Sequence, residues 1–185
     1  MTTIYFVRHA HSIYTRDELN RPLSEQGFKD ANQVTNLLKH EQIDVVISSP
    51  YKRAIQTVEG TATIHQKSIL LEEGFKERVL SSEPVEDFPK AIKTVWENWD
   101  FAWPGGESNE IAQKRGVSTT LNVLDQYEGK NIVIGTHGNI MVLIMNYFTP
   151  AFDFHFWQHL DMPDIYQLTF EGKALIDTKR RWMSE

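Results

Sequence analysis

The apolar positions of this chain fall into short runs that alternate with stretches of helical spacing. Ile4-Tyr5-Phe6-Val7 is bounded by Thr2-Thr3 and by an abrupt switch to Arg8-His9, which predicts a buried strand over residues 3–7. Runs at 43–47, 68–71 and 131–135 have the same character. Between them, Ser24 stands as an N-cap before Phe28, Ala31, Val34, Leu37 and Leu38, which share one helical face. Further helices are predicted over 52–59, ending at Gly60, and over 88–99, with Trp96 and Trp99 on one side. Ser108 caps a long helix closing at Glu128-Gly129, with Ile111, Val117, Leu121 and Leu124 inward. A helix follows the 131–135 run to about residue 147, and a short helical stretch covers 154–159. Residues 165–170 and 174–177 flank Glu171-Gly172-Lys173 as a hairpin.

Strand alternating with helix predicts an α/β fold, a three-layer α/β/α sandwich with a mostly parallel central sheet. The clearest break is Pro104-Gly105-Gly106. Residues 73–107 read as a short lid-like insertion over the cleft of a single domain spanning 1–185.

In parallel sheets chemistry gathers just beyond the carboxyl ends of the strands. Arg8-His9-Ala10 ends the first run, placing a fixed cation beside a nucleophile that titrates near neutrality. Ser48-Ser49-Pro50-Tyr51-Lys52-Arg53-Ala54-Ile55-Gln56-Thr57 follows the second run. Phe75-Lys76-Glu77-Arg78 follows the third, and Gly135-Thr136-His137-Gly138-Asn139 ends the fourth and opens a helix. Two arginines, two histidines and a carboxylate can bind and transfer a phosphoryl group without a metal. His9 would attack phosphorus, its other ring nitrogen fixed on a backbone carbonyl. Arg8, Arg53 and His137 would hold the phosphoryl oxygens, with the amides of Gly138 and Asn139 facing the same anion.

With those segments in that order, the chain resembles the histidine phosphatase superfamily, the phosphoglycerate-mutase-like enzymes of branch 1. The resemblance covers nearly the whole length and includes Pro22-Leu23-Ser24-Glu25-Gln26-Gly27 and Gly105-Gly106-Glu107-Ser108. It implies the same fold and a phosphohistidine on His9. It places the general acid a few residues after the third strand, which fits Glu77 better than Glu72 or Glu73. Ser12, Thr15, Arg78, His137, Gly138 and Asn139 become substrate-binding candidates beside Arg8 and Arg53. Departures are visible: Ala10 stands for the usual Gly, His11-Ser12 for Glu-Thr, and Thr15 for an Asn that touches phosphate.

Charge and composition narrow the partners. The 185 residues carry a net charge of −6, which argues against a general nucleic-acid or membrane surface and leaves anion capture to a local basic pocket. No cysteine is present, so thiolate nucleophiles and disulfides are excluded. No charged leader precedes an apolar stretch, and the expectation is a cytoplasmic phosphatase of small phosphorylated substrates, without cofactor or metal, possible as a homo-oligomer. Three rivals stand beside it. His9 and His11, two apart, suit a metal pair on a strand, but no matching acidic motif follows. A mutase shares the parts, yet the insertion between Glu77 and Gly105 is short for one. A non-catalytic module could keep the pocket only to recognise phosphate. His155 and His159 lie one helical turn apart amid aromatic residues and read as packing.

Overall fold

Side chains alternate across a strand, and both faces of the central parallel strands here are apolar, as a sheet covered on both sides requires. In the computed structural model, which describes residues 1–184, β1 (Thr2–Arg8) turns Ile4 and Phe6 to one face and Tyr5 and Val7 to the other. The remaining strands are β2 (Val45–Ser48), β3 (Ile69–Leu71), β4 (Asn131–Thr136), β5 (Asp164–Glu171) and β6 (Ala174–Arg180). They form one sheet in the order β3-β2-β4-β1-β5-β6. The four strands from β3 to β1 are parallel, and β5 and β6 add an antiparallel edge.

Helices α1 (Glu25–Leu38) and α2 (Lys52–Ile64) cover one face, where Val34, Leu38, Val58 and Ala62 meet Tyr5, Val7, Val46 and Val133. The other face lies under α3 (Phe88–Glu97), α4 (Asn109–Gln126) and α5 (Gly138–Phe148), followed by the short α6 (Phe154–Gln158). This is the mixed α/β, three-layer architecture that the sequence pattern predicts. The chain leaves β1 toward α1 on one face and leaves β4 toward α5 on the other. Since β1 and β4 are neighbours, their carboxyl ends open a crevice between them.

Three local expectations are corrected. Phe28 is 45% exposed, and the inward position belongs to Gly27, where a Cβ would lie 2.1 Å from the His11 carbonyl oxygen. Ile111 is exposed too. Helix α4 buries Ala112, Gly116 and Thr120 instead, because it lies so close to α5 that a Cβ on Gly116 would meet Ile144 at 2.6 Å. Gly60 does not end α2, which runs on to Ile64 with Gly60 packed against Thr35 of α1. In each case close backbone approach favours a small residue that an apolar pattern does not register.

Candidate active site

Register builds the centre. β1 and β4 run in parallel with Arg8 opposite Thr136, so the next residues, His9 and His137, emerge side by side. The His9 amide donates to the Thr136 carbonyl at 3.0 Å, and the two imidazole rings lie 5.2 Å apart, edge to face. His9 Nδ1 sits 2.7 Å from the Ala10 carbonyl oxygen. A carbonyl only accepts, so Nδ1 carries the proton and Nε2 keeps its lone pair. The Ala10 amide in turn donates to Thr57 Oγ1, whose hydroxyl donates to the Arg53 carbonyl, tying the loop after β1 to α2. Burial drives the His9 pKa down to about 3; the Ala10 bond opposes this, and the charges of Arg53, Arg8 and Arg21 add to it. His9 is therefore a neutral imidazole at ordinary pH.

His137, fully buried, also titrates well below its ordinary value, first through burial and then through the charges around it. Its Nε2 is 2.8 Å from Ser49 Oγ, and that oxygen already accepts from the Tyr51 amide. His137 Nδ1 is buried without a partner, and in the tautomer where the Ser49 hydroxyl donates to Nε2 it carries the proton as a free donor.

The cations share this feature. Arg8 Nη1 donates to the carbonyls of Leu160 and Asp161, both at 3.2 Å, and its Nε is buried and unpaired. Its guanidinium lies against the start of α5, where a Cβ on Gly138 would come within 2.8 Å of Nε. Arg53 extends over the Tyr51 ring and is held at its far end by Glu18, again with Nε buried and unpaired. Arg21 repeats the pattern: Nη2 binds Glu18 and the Thr15 carbonyl, and Nε has no partner. Buried donors without acceptors are costly and uncommon. Four of them around one neutral histidine describe a site built for an anion with several oxygens.

Glu77 reaches this crevice from the segment after β3. Its Oε1 accepts from the amides of Arg78 and Ile140 at 2.8 and 2.9 Å, and Oε2 from the Asn139 amide at 3.0 Å, so the carboxylate caps α5. Glu72 and Glu73 are exposed, and Glu73 pairs with Lys76. Arg115 of α4 fixes the Glu77 segment by donating to the carbonyls of Gly74 and Lys76, at 2.8 and 3.0 Å. Glu107 grips that arginine through both carboxylate oxygens. The Gly105-Gly106 turn brings Glu107 there: Gly105 has φ +74°, and a Cβ on Gly106 would lie 2.1 Å from the Leu80 carbonyl.

The structure thus brings Arg8, His9, Arg53, Glu77, His137 and Gly138 together. The remaining candidates take other partners. The Thr15 hydroxyl donates to the Asp17 carbonyl, and Ser12 pairs with Leu23 in an isolated bridge. Arg78, 5% exposed, is held by the side-chain oxygens of Asn109 and Asn139, and the indole of Trp96 also reaches Asn139. The Asn139 amide is occupied by Glu77 rather than open to a ligand. His11 bonds Ser24 Oγ at 2.7 Å, away from His9, and among the described residues no cluster of three metal-ligating side chains occurs. The sequence reading missed Arg21, Glu18, Glu107 and Arg115. Arg21 does carry a signal, since it directly precedes Pro22-Leu23-Ser24 in the loop that returns to the strand ends.

A parallel sheet with a neutral histidine ringed by guanidinium groups defines the class: an enzyme-like site for phosphoryl chemistry. The model of the histidine phosphatase superfamily (branch 1) matches residues 4–176, and the chain belongs to that family. A curated relative, phosphoserine phosphatase 1 of Hydrogenobacter thermophilus, is 27% identical over 150 residues, covering 74% of this chain and 71% of its own. Among solved structures, phosphoserine phosphatase of Entamoeba histolytica in complex with 3-phosphoglyceric acid superposes with a TM-score of 0.81 at 22% identity, covering 99% of this chain and 98% of its own. Mycobacterial glucosyl-3-phosphoglycerate phosphatase gives a TM-score of 0.77 at 18% identity, with 96% of both chains covered. Among the described residues no helix is long and apolar enough to cross a membrane.

Proposed function

We propose that the protein is a metal-independent phosphatase that hydrolyses small phosphate monoesters through a phosphohistidine on His9. One observation carries the reading: the Ala10 carbonyl holds the Nδ1 proton of His9, leaving the Nε2 lone pair free beside the unpaired polar atoms of Arg8, Arg53, Arg21 and His137. In the first step Nε2 forms a bond to phosphorus and the ester oxygen departs, taking a proton from Glu77. The arginines and His137 Nδ1 hold the non-bridging oxygens, where charge spreads as the bond breaks. A water then gives a proton to Glu77 and attacks the phosphohistidine, releasing inorganic phosphate and neutral His9. Glu77 suits both steps in position. Its Oε2 accepts one amide only and has a lone pair free for the proton.

Gly138 lets the Arg8 guanidinium lie against α5, and Arg78 braces Asn139 from beneath. Residues 73–107 act as the lid-like insertion of a single domain and bring Glu77 over the crevice, with a cytoplasmic location as part of the same proposal. A relative named as a phosphoserine phosphatase puts small phosphorylated acids first among substrates. The test is hydrolysis of an aryl phosphate in EDTA by the wild-type protein and by His9→Ala. Turnover should survive the chelator and vanish in the variant. Full activity in His9→Ala would refute the mechanism.

A further inference from the structure

Glu18 lies in the loop between β1 and α1 and belongs to none of the motifs that mark the family. Its carboxylate bridges two arginines of the site: Oε2 is 2.9 Å from Arg53 Nη2 and Oε1 is 2.6 Å from Arg21 Nη2. Its backbone carbonyl also accepts from Arg53 Nη1, at 2.9 Å. The loop around it is built rather than slack. Arg21 binds the Thr15 carbonyl and stacks on Tyr14, Asn20 bonds Asp17, and the Leu19 carbonyl takes the Lys52 amide.

A carboxylate on two phosphate-site arginines has two physical readings. It can occupy the place of the substrate anion and compete with it, or it can hold the arginines for that anion. The atoms decide. Glu18 takes the Nη1–Nη2 end of Arg53 and leaves the Nε–H edge, and on Arg21 it likewise leaves Nε. On Arg53 the unpaired Nε–H lies away from the Nη1–Nη2 end that Glu18 holds. The Arg53 side chain is 4% exposed, whereas that of Glu18 is 54% exposed, so the carboxylate sits at the outer rim with the guanidinium below it.

We infer that Glu18 is a positioning residue, a rim carboxylate that aligns Arg53 and Arg21 so that their inner donors converge on the transferring phosphoryl group. Two long cationic side chains held by one carboxylate lose their rotational freedom before substrate arrives, which is how preorganised donors gain over flexible ones. The inference rests on the phosphatase reading.

The experiment compares wild-type, Glu18→Gln and Glu18→Ala proteins for aryl phosphate kinetics, for inhibition by orthovanadate and for thermal melting. Wild-type turnover is the control that separates the two ideas: its absence counts against the phosphatase reading, before Glu18 is at issue. Given turnover, Glu18→Ala should lower kcat/KM roughly tenfold or more and weaken vanadate inhibition in parallel, at an unchanged melting temperature. Glu18→Gln, which keeps one acceptor oxygen and the backbone contact, should fall between. Unchanged kinetics in both variants would overturn the inference. A lower KM and tighter vanadate binding would also overturn it, since they would show the carboxylate competing with the anion.

Discussion

Gly138→Ala tests the centre of the site with one methyl group. The added Cβ would stand 2.8 Å from Arg8 Nε, 2.9 Å from Cζ and 3.0 Å from Nη2. Comfortable contacts between such atoms begin near 3.5 Å, so the guanidinium must retreat by roughly half an ångström. It cannot do so freely, because the Leu160 and Asp161 carbonyls hold Nη1. A charge-assisted hydrogen bond is worth about 1.5–3 kcal/mol, and losing one to a displaced Arg8 predicts a fall in kcat/KM of roughly 10- to 100-fold. The assay is steady-state aryl phosphate hydrolysis beside a melting curve. Wild-type kcat/KM in Gly138→Ala would show that Arg8 does not grip the reacting group where it stands, and that part of the argument would fail.

Other outcomes follow from the same geometry. Glu77→Gln should cut turnover by about 100-fold or more while phosphate labelling of His9 remains detectable, whereas His9→Ala should lose both; labelled His9→Ala would contradict the assignment. Arg115→Ala removes the clamp on the Gly74 and Lys76 carbonyls and should lower kcat by roughly tenfold with KM little changed; a pure KM effect would argue against a role through Glu77. Because His9 stays neutral down to about pH 3, the acid limb of kcat/KM should not show an ionisation near 6.5, and a limb there would count against the buried tautomer. Both histidines bind protons less readily folded than unfolded. Their stabilisation is complete above about pH 6.5 and is lost as pH falls below it, for His9 down to about 3, so melting temperature should drop with acidification. His9→Asn should flatten the slope, and an equally steep slope in that variant would refute the contribution.

How far the chain could be read depended on whether a residue announced itself locally. Arg8, His9 and His137 stand at strand ends, where the apolar run stops abruptly and topology dictates convergence, so their meeting was legible. Arg53 was legible because Ser-Ser-Pro opens its helix. Glu77 was harder, as its position relies on Arg115 and Glu107, thirty to forty residues on, and nothing in a linear pattern pairs them. Arg21 and Glu18 lie in a loop where charge reads as solvated surface. Phe28 and Ile111 were placed inward by spacing alone, yet Gly27 and Gly116 took those positions because helices and loops press closer there than a side chain permits. The antiparallel edge extends to Arg180, beyond the hairpin pattern, since a mostly exposed outer strand has no apolar rhythm to reveal it.

The arginine that opens the chain's first motif is steadied by carbonyls 152 and 153 residues away. Ser49 and His137 are separated by 88 positions, and Glu77 and Ile140 by 63. Such a site has no autonomous fragment. During refolding, helices can form and much of the apolar surface can collapse while the crevice is still unassembled, because its last clamp arrives with the segment just before β5. Catalysis should then return as a late event, trailing the recovery of helical signal. Enzyme activity would serve as a reporter for closure of the whole chain.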